Sequence, residues 1–275
     1  MSINLIFKKS IANSLTIFNL ILGFSSIVLI GLSLIDEYYY IDLACLLIFI
    51  ATLFDVCDGK VARKLGTSGD FGKQIDSLAD VVSFCLVPSF LLFFYFYNIL
   101  GDFSLYIILI SSFPLVFGAI RLAKFNTSSD ESTKSYYLGL PTPANAIFIS
   151  ASILLVMDPS TFLIIEFGMI ENSIIDFVKW SFGVIYTANE YILIIVSIIS
   201  SILLVTNIRY SKFPIISFNT NKSNLLSIAG ILIFSILLLI GILNKEYHIV
   251  ILFFISYYII SGIIKLFISK INGEL

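Results

Sequence analysis

Long apolar runs broken by short polar stretches fill the chain, and the length of the runs decides how they are read. Eight of them, at about 12–34, 42–64, 74–98, 104–125, 141–157, 188–207, 224–243 and 248–269, come near the roughly 20 residues with which an α-helix crosses a bilayer. The pattern predicts an all-α membrane protein, a bundle of about eight transmembrane helices. The fifth run is short. Between Asp158 and Thr187 apolar and acidic residues alternate, which suits an interfacial amphipathic helix as well as an irregular loop. The first run follows Lys8 and Lys9 as a signal peptide would, yet it is long, lacks a small-x-small cleavage site and leads into further spans. It is expected to stay as the first helix.

Composition supports this picture and charge placement gives it an orientation. Charged residues make up 12% of the chain, where a soluble domain carries about a quarter, so a bilayer is the natural solvent for most of it. With a cytoplasmic N-terminus, eight spans place Lys8, Lys9, Lys60, Arg63, Lys64, Lys73, Arg121, Lys124, Lys134, Arg209, Lys212, Lys222, Lys265 and Lys270 in the cytoplasm. Only Lys179 and Lys245 fall outside. Fourteen cations against two is the asymmetry of the positive-inside rule, and an odd number of spans would scramble it. Both termini are therefore expected to be cytoplasmic. The net charge of −2 says little about partners, and no nucleic-acid partner is expected. Cys45, Cys57 and Cys85 lie in apolar surroundings without a Cys/His cluster, and are expected to be buried thiols.

One stretch departs from the apolar pattern. Residues 55–80, DVCDGKVARKLGTSGDFGKQIDSLAD, place Asp55 and Asp58 at the end of the second span and Asp76 and Asp80 at the start of the third. Spacings of three and four put each pair on one helix face, so two helices joined by a short loop can aim four carboxylates at one point. Such a cluster repels itself strongly at low dielectric, and protonation or divalent cations relieve it. All-oxygen ligation suits Mg²⁺, Mn²⁺ or Ca²⁺ rather than Zn²⁺. Gly59 and Ala62 leave a shallow surface on the second span, and Gly66, Gly69 and Gly72 predict a permissive loop. Arg63, Lys64 and Lys73 flank the carboxylates, which is how phosphate-handling sites are built. Lys60, Lys64 and Asp70 also fit a plain role as interface markers, and an intramembrane carboxylate cluster by itself also fits cation transport.

The same residues read D-x2-D-G-x2-A-R-x8-G-x3-D-x3-D, through Asp55, Asp58, Gly59, Ala62, Arg63, Gly72, Asp76 and Asp80. This resembles, without a gap, the signature of the CDP-alcohol phosphatidyltransferases. The resemblance implies a helical bundle, homodimeric, with a polar cavity open to the cytoplasm. It implies divalent cations, Mg²⁺ or Mn²⁺ with Ca²⁺ also admissible, two in number, held by Asp55, Asp58, Asp76 and Asp80. Asp80 would also be the catalytic base. Gly59 and Ala62 would lie against the cytidine of a CDP-linked lipid, with Arg63 and Thr67 near its diphosphate and Gly72 a further CDP-lipid position. The chain would then be one polytopic domain over 1–275. Residues 1–157 would form a catalytic five-helix part, 158–187 an extracytoplasmic loop or interfacial helix, and 188–275 three further spans.

Two further stretches bear on the acceptor. "GKQIDSLADVVSFCLVP", and "RLAKFN" followed by "YYLGLPTPANA", resemble the phosphatidylserine synthase branch of the family. Cys85 stands where that branch has glycine, and Lys124 where arginine is commoner. The resemblance implies L-serine as acceptor, with Arg121 supplying a fork for its carboxylate and Lys124 and Asn126 beside it. Positive-inside anchoring is the plain alternative for Arg121 and Lys124. In "IANSLTIFNLILGF" Asn13 and Thr16 share a face and Asn19 lies one turn on, so the stripe either lines a wet cavity or joins helices. Glycerol 3-phosphate or inositol phosphate as acceptor is the alternative within the family, and a cation-coupled transporter the alternative outside it.

Overall fold

The computed structural model describes residues 3–33, 39–65, 69–100, 105–127, 136–157, 190–212, 222–244 and 246–271. Side chains are described within these ranges except at 3–12, 39, 62–65, 99–100, 190–191, 222–229 and 231. Its elements, in chain order, are α1 (Ile3–Ser33), α2 (Tyr39–Leu65), α3 (Asp70–Asp80), a π-helical segment (Val81–Leu86), α4 (Val87–Leu100), α5 (Leu105–Ser111) and α6 (Phe113–Thr127). They continue with β1 (Tyr136–Leu138), α7 (Thr142–Met157), α8 (Glu190–Leu203), β2 (Arg209–Ser211), α9 (Lys222–Leu243) and α10 (Tyr247–Ile271).

Five stretches are long and apolar enough to cross a membrane: Asn13–Ser33, Tyr40–Val61, Asp70–Asn98, Leu105–Thr127 and Tyr247–Ile271. The other three expected runs form shorter apolar helices, Thr142–Met157, Ile192–Leu203 and Leu232–Leu243. At 1.5 Å per residue the 16 residues of α7 fall short of a hydrocarbon core about 30 Å thick. Burial explains its place: from Thr142 to Leu155 nearly every side chain is buried, and α10, α2, α4 and α6 pack around it. Large apolar side chains such as Leu53, Val116, Ile236 and Tyr257 are exposed on the outside of the bundle, where lipid is the natural neighbour.

α1 packs along α2 through a face of small and polar residues. Its buried positions, Thr16, Asn19, Gly23, Ser26, Ile30 and Ser33, recur at spacings of three and four, which keeps them on one stripe. Gly23 is needed there, because a Cβ would collide with Ser83 of the π-helical segment. The Ser83 hydroxyl instead donates to the Asn19 carbonyl at 2.9 Å.

Prolines shape the third and fourth expected spans. α3, the π-helical segment and α4 run on continuously, with Val81 and Val87 both in right-handed helical geometry. Pro88 follows the π turn closely, and a helix must adjust there because proline offers no N–H to the preceding turn. Pro114 stands just past Ser112, where α5 gives way to α6. The Leu115 amide finds Ser89 Oγ at 2.9 Å, which ties this break to α4. On α6, Gly118 leaves the room that the Cys85 sulfur fills.

The structure corrects several expectations. The chain is all-α but for a two-stranded antiparallel ribbon in which Tyr136, Tyr137 and Leu138 face Ser211, Tyr210 and Arg209. Gly72 lies in the first turn of α3, not in a loop, because the helix starts at Asp70. Cys45 and Cys85 are buried whereas Cys57 is exposed, since it falls on the outer side of α2 from Asp58. The segment 158–187 and Thr67 lie outside the described residues.

Candidate active site

The acidic site is assembled by three helices at one end of the bundle. α2 brings Asp55 and Asp58, and α3 brings Asp76 and Asp80. Carboxylate oxygens of Asp55, Asp76 and Asp80 all lie within 4.8 Å of one another. Asp58 is in electrostatic reach of Asp55 and Asp76, and the Thr16 hydroxyl donates to its Oδ2 at 2.8 Å. Asn19 Nδ2 donates to Asp80 Oδ1 at 3.4 Å. The polar stripe of α1 thus reaches an aspartate on each of the two neighbouring helices. Asn13 belongs to the same face: its Oδ1 is the atom nearest to where a Cβ on Gly72 would stand, 3.8 Å away.

Three carboxylates held this close at low dielectric repel one another, so the arrangement calls for positive charge. The donor set fits a hard divalent cation, since every candidate ligand is a carboxylate oxygen. Asp76 Oδ1 supports the fit, being buried with no hydrogen-bond partner. Arg121 adds a fixed cation in electrostatic reach of Asp55 and Asp80. Its Nη1 also donates to the buried Thr142 hydroxyl at 3.4 Å, which links α6 to the start of α7.

The remaining residues singled out in the sequence fall into separate places. Gly59 lies half-buried on α2, one residue past Asp58. Ala62 and Arg63 continue the same helix, and their side chains lie outside the description. Asn126 joins α6 to α3: its amide donates to Ser77 Oγ at 2.8 Å and its carbonyl accepts from Lys73 Nζ at 3.2 Å. Lys73 also sits 5.6 Å from the centre of the Phe125 ring. Lys124 is exposed and, with Arg121, lines a cavity of about 290 Å³. The other walls are Phe125, Thr127, Leu138 and the turn Leu204–Asn207. Arg121 is common to this cavity and to the surroundings of the carboxylates. Asn19, Ser77 and Thr142 complete the site without standing among the expected ligands. For Asn19 the signal was its place on the α1 stripe; Ser77 and Thr142 lie inside the two stretches that bear on the acceptor, where no spacing singles them out.

Fold and site together define a helical membrane protein with a carboxylate centre suited to divalent cations. The sequence model of one family, CDP-alcohol phosphatidyltransferase, matches residues 9–184. The chain belongs to this family. It is 31% identical over 181 residues to a CDP-diacylglycerol–serine O-phosphatidyltransferase of Helicobacter pylori, covering 66% of this chain and 65% of that relative. A protein of the same name from Methanocaldococcus jannaschii is 30% identical over 206 residues, covering 74% of this chain and 75% of the relative. An archaetidylserine synthase of Methanothermobacter thermautotrophicus is 38% identical over 113 residues, 40% of this chain and 46% of its own length.

Proposed function

We propose that the protein transfers a phosphatidyl-type group from a CDP-linked lipid to the hydroxyl of L-serine, releasing CMP. The observation that carries this reading is the Asp55–Asp76–Asp80 cluster beside Arg121, in a family whose relatives are named for serine as acceptor. Asp55, Asp58, Asp76 and Asp80 would hold one or two divalent cations, Mg²⁺ or Mn²⁺ before Ca²⁺. Bound there, such an ion offsets the charge of the diphosphate and polarises it.

The protein's own residues supply the rest. Asp80, tethered by Asn19, takes the proton of the serine hydroxyl as its oxygen bonds to the lipid-linked phosphorus and the bond from that phosphorus to CMP breaks. Arg121 holds the serine carboxylate with a planar fork, and Lys124 adds charge beside it. Gly59 and Ala62 leave room for the cytidine, with Arg63, Thr67 and Gly72 toward the diphosphate. Asn126, whose amide nitrogen bonds to Ser77, would stand beside the serine with Arg121 and Lys124. The reading includes eight spans with both termini and the active site in the cytoplasm, supported by the fourteen-to-two distribution of cations. It includes a homodimer, on the strength of the family resemblance alone.

The test is CMP release by the purified protein from CDP-diacylglycerol, with L-serine, glycerol 3-phosphate or inositol phosphate offered in turn. Release is expected with serine. Equal turnover with glycerol 3-phosphate would remove the serine assignment, and no CDP-lipid binding in the presence of Mg²⁺ or Mn²⁺ would leave the transporter reading.

A further inference from the structure

The cavity beside Arg121 has two unlike walls. One is α6, which presents Arg121 and Lys124, and the other includes the turn Leu204–Asn207, which lies beyond residues 9–184. No acidic residue stands among the described residues that line the cavity. Asn207 is exposed toward it, and its side-chain amide makes no hydrogen bond among the described residues. Thr206, beside it, spends its hydroxyl on the Leu203 carbonyl at 2.8 Å.

This turn is held as a fixed wall. The Leu140 amide bonds to the Leu203 carbonyl and the Gly139 amide to the Ile208 carbonyl, both at 2.9 Å, so both sides of the turn are tied to the segment leading into α7. Gly139 adopts φ +72, and a Cβ there would collide with the Leu204 carbonyl, so glycine is needed on both counts. Further along, β2 pairs with β1 and its Tyr210 is buried, its ring seated where a Cβ on Gly262 of α10 would stand. The Tyr258 hydroxyl donates to the Ser211 carbonyl at 3.1 Å and Lys265 Nζ to Ser211 Oγ at 2.7 Å.

We infer that Asn207 determines acceptor specificity, its amide oxygen accepting from the ammonium of the amino-acid acceptor whose carboxylate Arg121 holds; this rests on the serine reading. The chemistry divides the acceptor between the two walls. A cationic wall takes the carboxylate. An ammonium needs a neutral or negative acceptor, and the amide oxygen of Asn207 is a side-chain acceptor on the turn that makes no hydrogen bond among the described residues. Between them an amino acid pairs at both ends, whereas an analogue with no donor in place of the amine leaves the amide unmatched. The family's catalytic region thus gains part of its selectivity from the chain that follows it.

The experiment compares full-length wild-type protein with Asn207→Leu and Asn207→Gln in lipid nanodiscs. L-serine and 3-hydroxypropionate, which carries hydrogen where serine carries its amine, are the acceptors, and CMP release is the readout. Asn207→Leu is expected to raise the serine KM about tenfold, as loss of a hydrogen bond to a charged group does. The preference for serine over 3-hydroxypropionate should fall by a similar factor, with the CDP-diacylglycerol KM within about twofold of wild type. Asn207→Gln, which keeps the amide, should recover part of the preference. An unchanged ratio of serine to 3-hydroxypropionate turnover in Asn207→Leu overturns the inference. So does an equal rise in both substrates' KM, which would make the turn mere scaffold. Wild-type protein that releases no CMP with serine removes the underlying reading and this inference with it.

Discussion

Asp58 and Asp76 stand on neighbouring helices in the same site and are held very differently. Thr16 fixes Asp58 at 2.8 Å, while Asp76 keeps Oδ1 buried and unpartnered. One is already oriented and the other has an oxygen to give. Thr16→Val keeps the shape of the side chain but removes the donor, leaving a buried carboxylate less satisfied at a cost of about 1.5–3 kcal/mol. The expected outcome is a lower thermal midpoint in detergent together with a severalfold rise in the Mg²⁺ or Mn²⁺ concentration giving half-maximal CMP release; unchanged metal dependence would show that Thr16 only joins helices. The aspartates are legible in the sequence because helical spacing puts each pair on one face. Which donor meets which aspartate is not, since it depends on how α1 is rotated against α2 and α3, and that is set by the close approach of Gly23 to Ser83.

At the scale of elements, helices were legible, and the form of their interruptions was not. Apolar length marks each helix, but the π turn at Val81–Leu86 and the step at Ser112 depend on how Pro88 and Pro114 meet their neighbours. The ribbon of β1 and β2 was invisible for a different reason: two three-residue strands far apart in the chain carry no periodicity of their own. Its anchorage on α10 is testable with a pair of glycine substitutions. Gly262→Leu drives a side chain into the Tyr210 ring, and overpacking of this kind costs about 1–3 kcal/mol. Gly230, by contrast, has open space where a Cβ would stand. Thermal unfolding in detergent should show Gly262→Leu destabilised and Gly230→Leu unchanged or slightly more stable, because leucine suits a helix better than glycine. Equal midpoints would mean that Tyr210 does not seat β2 on α10.

Across the whole molecule, buried and exposed surfaces divide by solvent and not by polarity. Apolar side chains cover the outside of the bundle, and its interior end gathers four aspartates, Arg121 and their polar partners. Such a concentration of charge is costly in an apolar protein unless a ligand completes it, and a divalent cation with a CDP-linked lipid would do so. The most direct test is to follow CMP release from CDP-diacylglycerol and L-serine by metal-stripped wild-type protein as Mg²⁺ or Mn²⁺ is returned, with Asp80→Asn alongside. Release that needs both serine and metal, and that falls at least about a hundredfold in Asp80→Asn, as loss of a general base does, is the predicted result. Serine-dependent release that persists without metal, or in Asp80→Asn at the wild-type rate, would contradict the account.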